Sequence, residues 1–181
     1  GYAKVPQLFA QITQPDDVDF LIIPCVSSER RRYVPIGFVG ADIISSNAVQ
    51  IVPGATLYHF GILTSNIHMA WMRAVCGRLE MRYRYSKEIV YNTFPWPNPT
   101  DAQKAKIEQT AQAILDARAQ YPDCSFADMY GEKMYLFPEL LKAHQNNDRA
   151  VMQAYGFSIK GMTESSCVAE LMKMYQGLVN H

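Results

Sequence analysis

Long hydrophobic runs are missing from this sequence. No apolar stretch approaches the roughly 18 residues that a membrane span requires, and none reads as a signal peptide. Cysteine is scarce: Cys25, Cys76, Cys124 and Cys167 stand far apart, with no Cys-x-x-Cys. A zinc site or a disulfide framework therefore has no support, and reduced thiols in a cytoplasmic protein are the expectation. Net charge is missing too, because 17 Lys and Arg balance 17 Asp and Glu. Overall charge thus announces no polyanionic partner. Neither a Walker sequence nor Gly-x-Gly-x-x-Gly is present to cradle phosphate. No Gly-x-Ser-x-Gly elbow offers a nucleophile. Asn98-Pro99-Thr100 is not the Asn-Pro-Pro-aromatic signature of amino-methyltransferases. His59 and His68 lie nine residues apart on one expected helix, rotated by about 180°, and cannot act as partners. A free-standing small enzyme has the least support.

What is present is a globular composition: 181 residues, 49% hydrophobic, enough for one good core or two small ones. The chain opens on Gly1 rather than methionine and is expected to be a piece of a longer protein. Charge is uneven along it. Residues 1–100 hold 9 basic and 7 acidic side chains, net +2; residues 101–181 hold 8 and 10, net −2. Between 73 and 88, Arg73, Arg78, Arg82, Arg84 and Lys87 face only Glu80 and Glu88, a local net +3. Asp16, Asp17 and Asp19 cluster beside a turn and read as a solvated edge.

Two regions separate near 95–100. In the first, VDFLIIPCV (18–26) reads as a buried strand with Pro24 near its end, followed by a polar turn and a short strand within SSERRRYVPIGFVG. Ala48–Val52 is a further β-prone run, closed by Pro53-Gly54. Residues 59–76 are apolar nearly all round and predict one buried helix ending at Gly77 as a left-handed C′ residue. RLEMRYRYS (78–86) alternates and predicts one strand. Three prolines within 95–99 then force an extended crossover. The second region is helical. One helix starts with Asp101 as N-cap and carries Ile107, Ala111, Ile114 and Leu115 on one face. A second, 138–155, has Pro138 at N1, stops before Gly156, and buries Leu140, Leu141, His144, Val151 and Tyr155. A last helix after Thr163 turns Val168, Leu171, Met172, Tyr175 and Val179 inward. The expected class is α+β: a small mixed sheet with a buried helix over 1–97, then a helical domain over 98–181.

The alternating stretch 78–86 carries the strongest chemistry. A single strand puts Leu79, Met81, Tyr83 and Tyr85 on the core face and Arg78, Glu80, Arg82 and Arg84 on the other. A solvated amphipathic strand is the plain reading. Base-edge readout is the sharper one, since Arg is a bidentate donor to guanine O6 and N7, and Glu accepts from cytosine N4. A phosphate clamp would not set a carboxylate among its cations. Asn47 stands in a turn leading to a strand, where it is either an Asx-turn residue or a bidentate partner for adenine; Gln50 could do the same. Arg30, Arg31 and Arg32 form a basic run, either simply solvated or a phosphate grip beside a readout face, with Arg78 alongside.

SSERRRYVPIGF, ISSNAVQIV, LYHFGILTSNIHMAWMRAVCGRLEMRYRYS and YNTFPWPNPT together resemble the target-recognition domain of the MmeI-like (type IIL) restriction–modification enzymes and related class I adenine-specific DNA methylases. DMYGEKMYLFPELLKAHQNNDRAVMQAYG resembles the helical C-terminal segment of the same proteins. The resemblance covers nearly the whole chain. It implies a bacterial parent that uses S-adenosylmethionine to methylate adenine N6 in a short asymmetric site of double-stranded DNA, with a nuclease in some relatives. This stretch carries neither catalytic motif and holds no cofactor of its own by that reading, and the parent's methyltransferase domain becomes its partner. The family's base-choosing positions correspond to Asn47 and Ala48 and to Glu80, Arg82 and Arg84. Phe94–Pro97 reads as the stiff exit from the recognition fold. A helical docking module without DNA readout is the alternative, favoured for the mildly acidic second half.

Overall fold

The computed structural model describes residues 18–180. The acidic pair Asp16 and Asp17 lies outside them. Strand β1 (Phe20–Pro24) is central in an antiparallel sheet between β3 (Gly37–Val39) and β4 (Val49–Pro53), with Leu21 opposite Phe38 on one side and Val52 on the other. Its FLIIP sequence buries Phe20, Leu21 and Ile23 completely. Past Cys25 the chain continues as β2 (Val26–Ser27), which pairs antiparallel with β6 (Arg82–Arg84), itself paired with β5 (Gly77–Leu79). The class is α+β, but the strands among the described residues form two antiparallel three-stranded sheets, not one mixed sheet. Cys25 is where one strand passes from sheet to sheet. Its amide donates to Ala48 O of the first sheet's edge, and its carbonyl accepts from Tyr85 N of the second, both at 2.9 Å.

The expected single helix 59–76 is two. Helix α1 (Leu57–Leu63) begins after Thr56, whose amide donates to His59 Nδ1 at 3.1 Å. Helix α2 (Asn66–Val75) begins after Ser65, whose backbone is extended and whose Oγ accepts from His68 N. The same hydroxyl donates to Ile62 O at 2.7 Å, closing the end of α1. Thr-Ser-Asn in the middle of an apolar run is thus an N-cap that breaks the helix. Gly77 is no left-handed cap: positive φ occurs only at Gly54, Gly156 and Gly161 among the described glycines. Gly77 opens β5, because Cys76 already turns extended at φ −68°, ψ 155°.

In the second region, α3 (Asp101–Ala119) is capped by Thr100, one residue before the expected Asp101, through a reciprocal pair with Gln103. A short α4 (Phe126–Met129) and a single 3₁₀ turn (Met134–Leu136) lead to α5 (Pro138–Ala154), which has Pro138 in its first turn and is followed by left-handed Gly156 at φ 70°. Helix α6 (Glu164–Val179) is capped by Thr163. Its Leu171 is fully buried, but Val179, expected inside, is 62% exposed because the last turn runs past the core.

The core is continuous across the proline-rich segment. Phe60, Ile62 and Trp71 from the first region pack with Ile107, Ile114, Leu140, Val151 and Leu171 from the second. Gly61 permits a close approach of α1 to α3 and α5. A Cβ there would lie 2.6 Å from Ile107 Cγ2 and 3.1 Å from Asn147 Oδ1, while Asn147 Nδ2 donates to Gly61 O at 2.7 Å. Arg118, only 7% exposed, donates from Nη1 to Ile36 O and from Nε to Tyr130 Oη, and its guanidinium stacks among the Phe60, Phe126 and Tyr130 rings. Phe94 and Trp96 meet edge to face at 5.5 Å, and Tyr155 Oη donates to Pro95 O at 2.8 Å. The segment leaving the first region is therefore packed against the second.

Candidate nucleic-acid interface

The stretch 78–86 is a hairpin, not one strand. Leu79 pairs with Arg82, leaving Glu80 and Met81 as a two-residue turn. A two-residue loop preserves alternation along the sequence but exchanges the faces, because residues paired across strands share a side. Arg78 therefore lies on the side of Tyr83, and Leu79 on the side of Arg82. The expected division holds only in part. Leu79 and Met81 are 42% and 70% exposed rather than in the core, while Tyr83 and Tyr85 are buried as expected. Arg78 leaves the company of Arg82 and Arg84. Its guanidinium sits 4.2 Å from the Tyr83 ring centre, and Nη1 donates to Met81 O at 3.1 Å, bracing the turn.

Glu80 is the sole non-glycine residue with positive φ among those described, at 57°. Only the first of the two turn residues has it, the pattern of a type II′ hairpin, in which that position is ordinarily glycine. A Glu there carries strain of about 1–3 kcal/mol. Its carboxylate pairs with Arg82 Nη2 at 3.0 Å across the turn, with both side chains largely in solvent.

Asn47 stands at a turn apex whose backbone is satisfied by its neighbour: Ser46 Oγ accepts from Ala48 N at 3.2 Å. The turn-capping role thus falls to Ser46, and Asn47 lines a groove of about 520 Å³ together with Cys25, Gln50, Arg84, Ser86 and Glu88. The switch of sheets at Cys25 explains the meeting. It holds the Ala48 end of β4 on one side and the Tyr85 end of β6 on the other. Cys25 Sγ accepts from Gln50 Nε2 at 3.2 Å and lies 3.8 Å from Asn47 O. Asn47, Ala48 and Arg84 are exposed at this place, and Glu80 and Arg82 follow along the hairpin. Five candidate readout residues thus lie on one hairpin and the strand end beside it.

The basic run divides. Arg30 is exposed but committed to the helical region, with Nη1 2.7 Å from Glu132 Oε1 and Glu29 nearby at 3.7 Å. Those carboxylates hold its pKa above the ordinary value. Arg32 lies over the Tyr33 ring at 5.4 Å and borders a different cavity, between α2 and α6, with Arg73 and Glu164. Arg31 is half-buried. The three arginines are therefore not one surface strip beside the hairpin, and the structure does not bring them to the groove that holds Arg84.

The residues that sequence reasoning passed over are Glu88 and Ser86. Ser86 starts a single π-helical turn (Lys87–Tyr91), where its Oγ accepts from Ile89 N and donates to Glu88 Oε2 at 3.0 Å. Glu88's own amide and then Ser86 hold its carboxyl below the ordinary value. An N-cap serine with an acid in the first turn is a helix-start signal, readable in Ser86-Lys87-Glu88. His68 and His144 are core groups: His68 is fully buried, pushed down to about 3 by burial, and its Nε2 meets Tyr85 Oη at 3.0 Å. The four cysteines are free thiols. Among the described residues no group of His, Cys, Asp and Glu is arranged to hold a metal ion, and no helix is long and apolar enough to cross a membrane.

A two-sheet unit with an exposed polar hairpin is thus fused through a common core to a set of helices. Its family is established by comparison. Residues 1–98 match the family model described as MmeI, target recognition domain, and residues 99–181 match that of the MmeI C-terminal domain. The chain belongs to the MmeI family. It is 38% identical over 156 residues to DNA methyltransferase A of Bacillus subtilis (strain 168), covering 86% of this chain and 17% of that protein. It superposes with a TM-score of 0.90 and 48% identity on the type IIL restriction-modification enzyme MmeI, solved in complex with DNA, covering 97% of this chain and 23% of that one. The chain therefore spans less than a quarter of either relative.

Proposed function

We propose that this chain is the sequence-reading part of a DNA adenine-N6 methyltransferase of the restriction–modification type. Asn47, Ala48, Glu80, Arg82 and Arg84 contact base edges in a groove of duplex DNA. Arg78 serves a phosphate beside it, while Arg31 and Arg32, set apart from the hairpin, serve phosphates of the flanking duplex, and Arg30 does so only at the expense of its pair with Glu132. The parent uses S-adenosylmethionine in a methyltransferase domain outside this chain, and that domain forms the other wall of the DNA cleft. In a bacterial parent this work is cytoplasmic.

The observation that carries this reading is the strained Glu80 turn. A carboxylate set among arginines at the tip of an exposed hairpin disfavours phosphate, and it occupies a backbone position that glycine would fill at lower cost. A base pair supplies the reason, since its edge offers amino donors as well as acceptors. The likeness to a DNA-bound relative supports it. The helical half contributes support rather than readout: Arg118, Asn147 and Asp148 spend their polar groups on the recognition half.

Binding of site-containing and scrambled duplexes by the full-length parent at several salt concentrations tests this. Affinity is expected to fall with salt for both duplexes, with a preference for the site. Arg82→Ala with Arg84→Ala should retain salt-dependent binding and lose the preference. A parent that binds no duplex, or a double variant with undiminished preference, overturns the reading.

A further inference from the structure

The charged side chains around the hairpin are of two kinds. Glu80 and Arg82 satisfy each other at 3.0 Å. Arg84 and Glu88 line one groove with Asn47 and Gln50, yet neither belongs to an ion pair among the described residues. A guanidinium and a carboxylate share a groove with no ion pair between them, and Lys87 is the cation that acts on Glu88.

The carboxylate is held in place. Ser86 Oγ donates to Glu88 Oε2 at 3.0 Å while accepting from Ile89 N at 3.3 Å, so the serine is fixed from both sides. An ionised carboxylate has about four acceptor sites, and the Ser86 hydroxyl and Glu88's own amide leave spare capacity facing solvent. Arg84 is the converse: an exposed fork of donors with no side-chain acceptor among the described residues.

A ligand that suits both must offer acceptors to Arg84 and a donor to Glu88. A phosphate strand offers acceptors only and is repelled by Glu88. The major-groove edge of a G·C pair offers guanine O6 and N7 beside the cytosine N4 amino group. We infer that Glu88 is a further specificity-determining residue, accepting a hydrogen bond from the cytosine N4 amino group of the same G·C pair whose guanine is read by Arg84. Asn47, in the same groove, is then placed for the neighbouring base pair. This inference rests on the DNA-reading proposal above and extends it to a residue outside the hairpin.

The test is selection of bound duplexes from a pool randomised across the site, using the full-length parent as wild type, Glu88→Gln, Glu88→Ala and Arg84→Ala. Glu88 is exposed, and unchanged thermal unfolding of its two variants is the control for folding. Wild type should select a G·C pair at one position. Glu88→Gln, isosteric but offering a donor where the carboxylate accepted, should relax or switch preference at that position about ten-fold, with the other positions intact. Arg84→Ala should relax the same position. An unchanged preference in Glu88→Gln overturns the inference. So does relaxation of different positions by the two residues. Tighter binding of every duplex by Glu88→Ala with an unchanged preference overturns it too, leaving Glu88 as a repulsive rim charge. A wild type that selects no sequence overturns the DNA-reading proposal itself, which separates the two failures.

Discussion

The Tyr33 hydroxyl donates to Asp148 Oδ2 at 2.6 Å, tying together residues 115 positions apart. The Asn66 backbone N–H donates to the other carboxylate oxygen at 2.8 Å, and the Tyr33 ring stacks on His144 at 4.2 Å. One buried carboxylate of α5 thus ends the loop before β3 and starts α2. The hairpin of β5 and β6 is anchored at the far end of that helix, so its orientation depends on a core shared with the helical region.

Acid sensitivity follows from this core, with two opposing signs. Burial raises Asp148 from 3.8 to about 6. The folded state therefore keeps a proton that the unfolded state releases. The stability from this group is complete below the unfolded value and is lost as pH rises through about 6. His68 and His144 are buried and lowered from 6.5, so the unfolded chain takes up their protons first. Their contribution is present above 6.5 and is lost as pH falls. Asp148 thus offsets part of the histidine loss on acidification. Asp148→Asn should lose stability more steeply than wild type between about pH 6 and pH 4.5, read from urea midpoints. Parallel profiles would contradict the assignment.

Strain at the hairpin tip gives a stability–function trade. Glu80→Gly relieves the positive φ and loses only a solvent-exposed ion pair, worth at most about 1 kcal/mol. The variant should be more stable by about 1 kcal/mol in thermal unfolding and poorer at discriminating sites. A destabilised variant would show that the Glu80–Arg82 pair, rather than function, keeps Glu80 in place.

Close packing of α1 on α3 and α5 predicts the opposite for Gly61. Gly61→Ala gains helix propensity but drives Cβ to 2.6 Å from Ile107 Cγ2. A net destabilisation of about 1–2 kcal/mol is expected, seen as a lower denaturant midpoint with unchanged m-value. A stabilised variant would mean that Ile107 relaxes freely.

The elements that obey one strong rule were legible in the sequence. FLIIP is apolar throughout and is the central strand; Pro138 and Gly156 mark the ends of α5 by their fixed and left-handed backbones. The hairpin was not legible, because a two-residue loop continues the alternation of a straight strand and Glu80-Met81 carries no glycine or asparagine to flag the turn. The Thr64-Ser65 break hid inside an apolar run because both helices are buried on most sides. At the site, Asn47 and Arg84 stand 37 residues apart in sequence. The crossing at Cys25 that brings them together is a tertiary fact with no local signal.

The central claim is that the Glu80–Arg82 turn chooses a base pair. Mapping the methylated motif of the full-length parent with Glu80 and Arg82 exchanged together, for example Glu80→Lys with Arg82→Asp, tests it most directly. The account predicts a motif altered at one position and unchanged at the rest. Methylation of the original motif at full specificity by that double variant would contradict it.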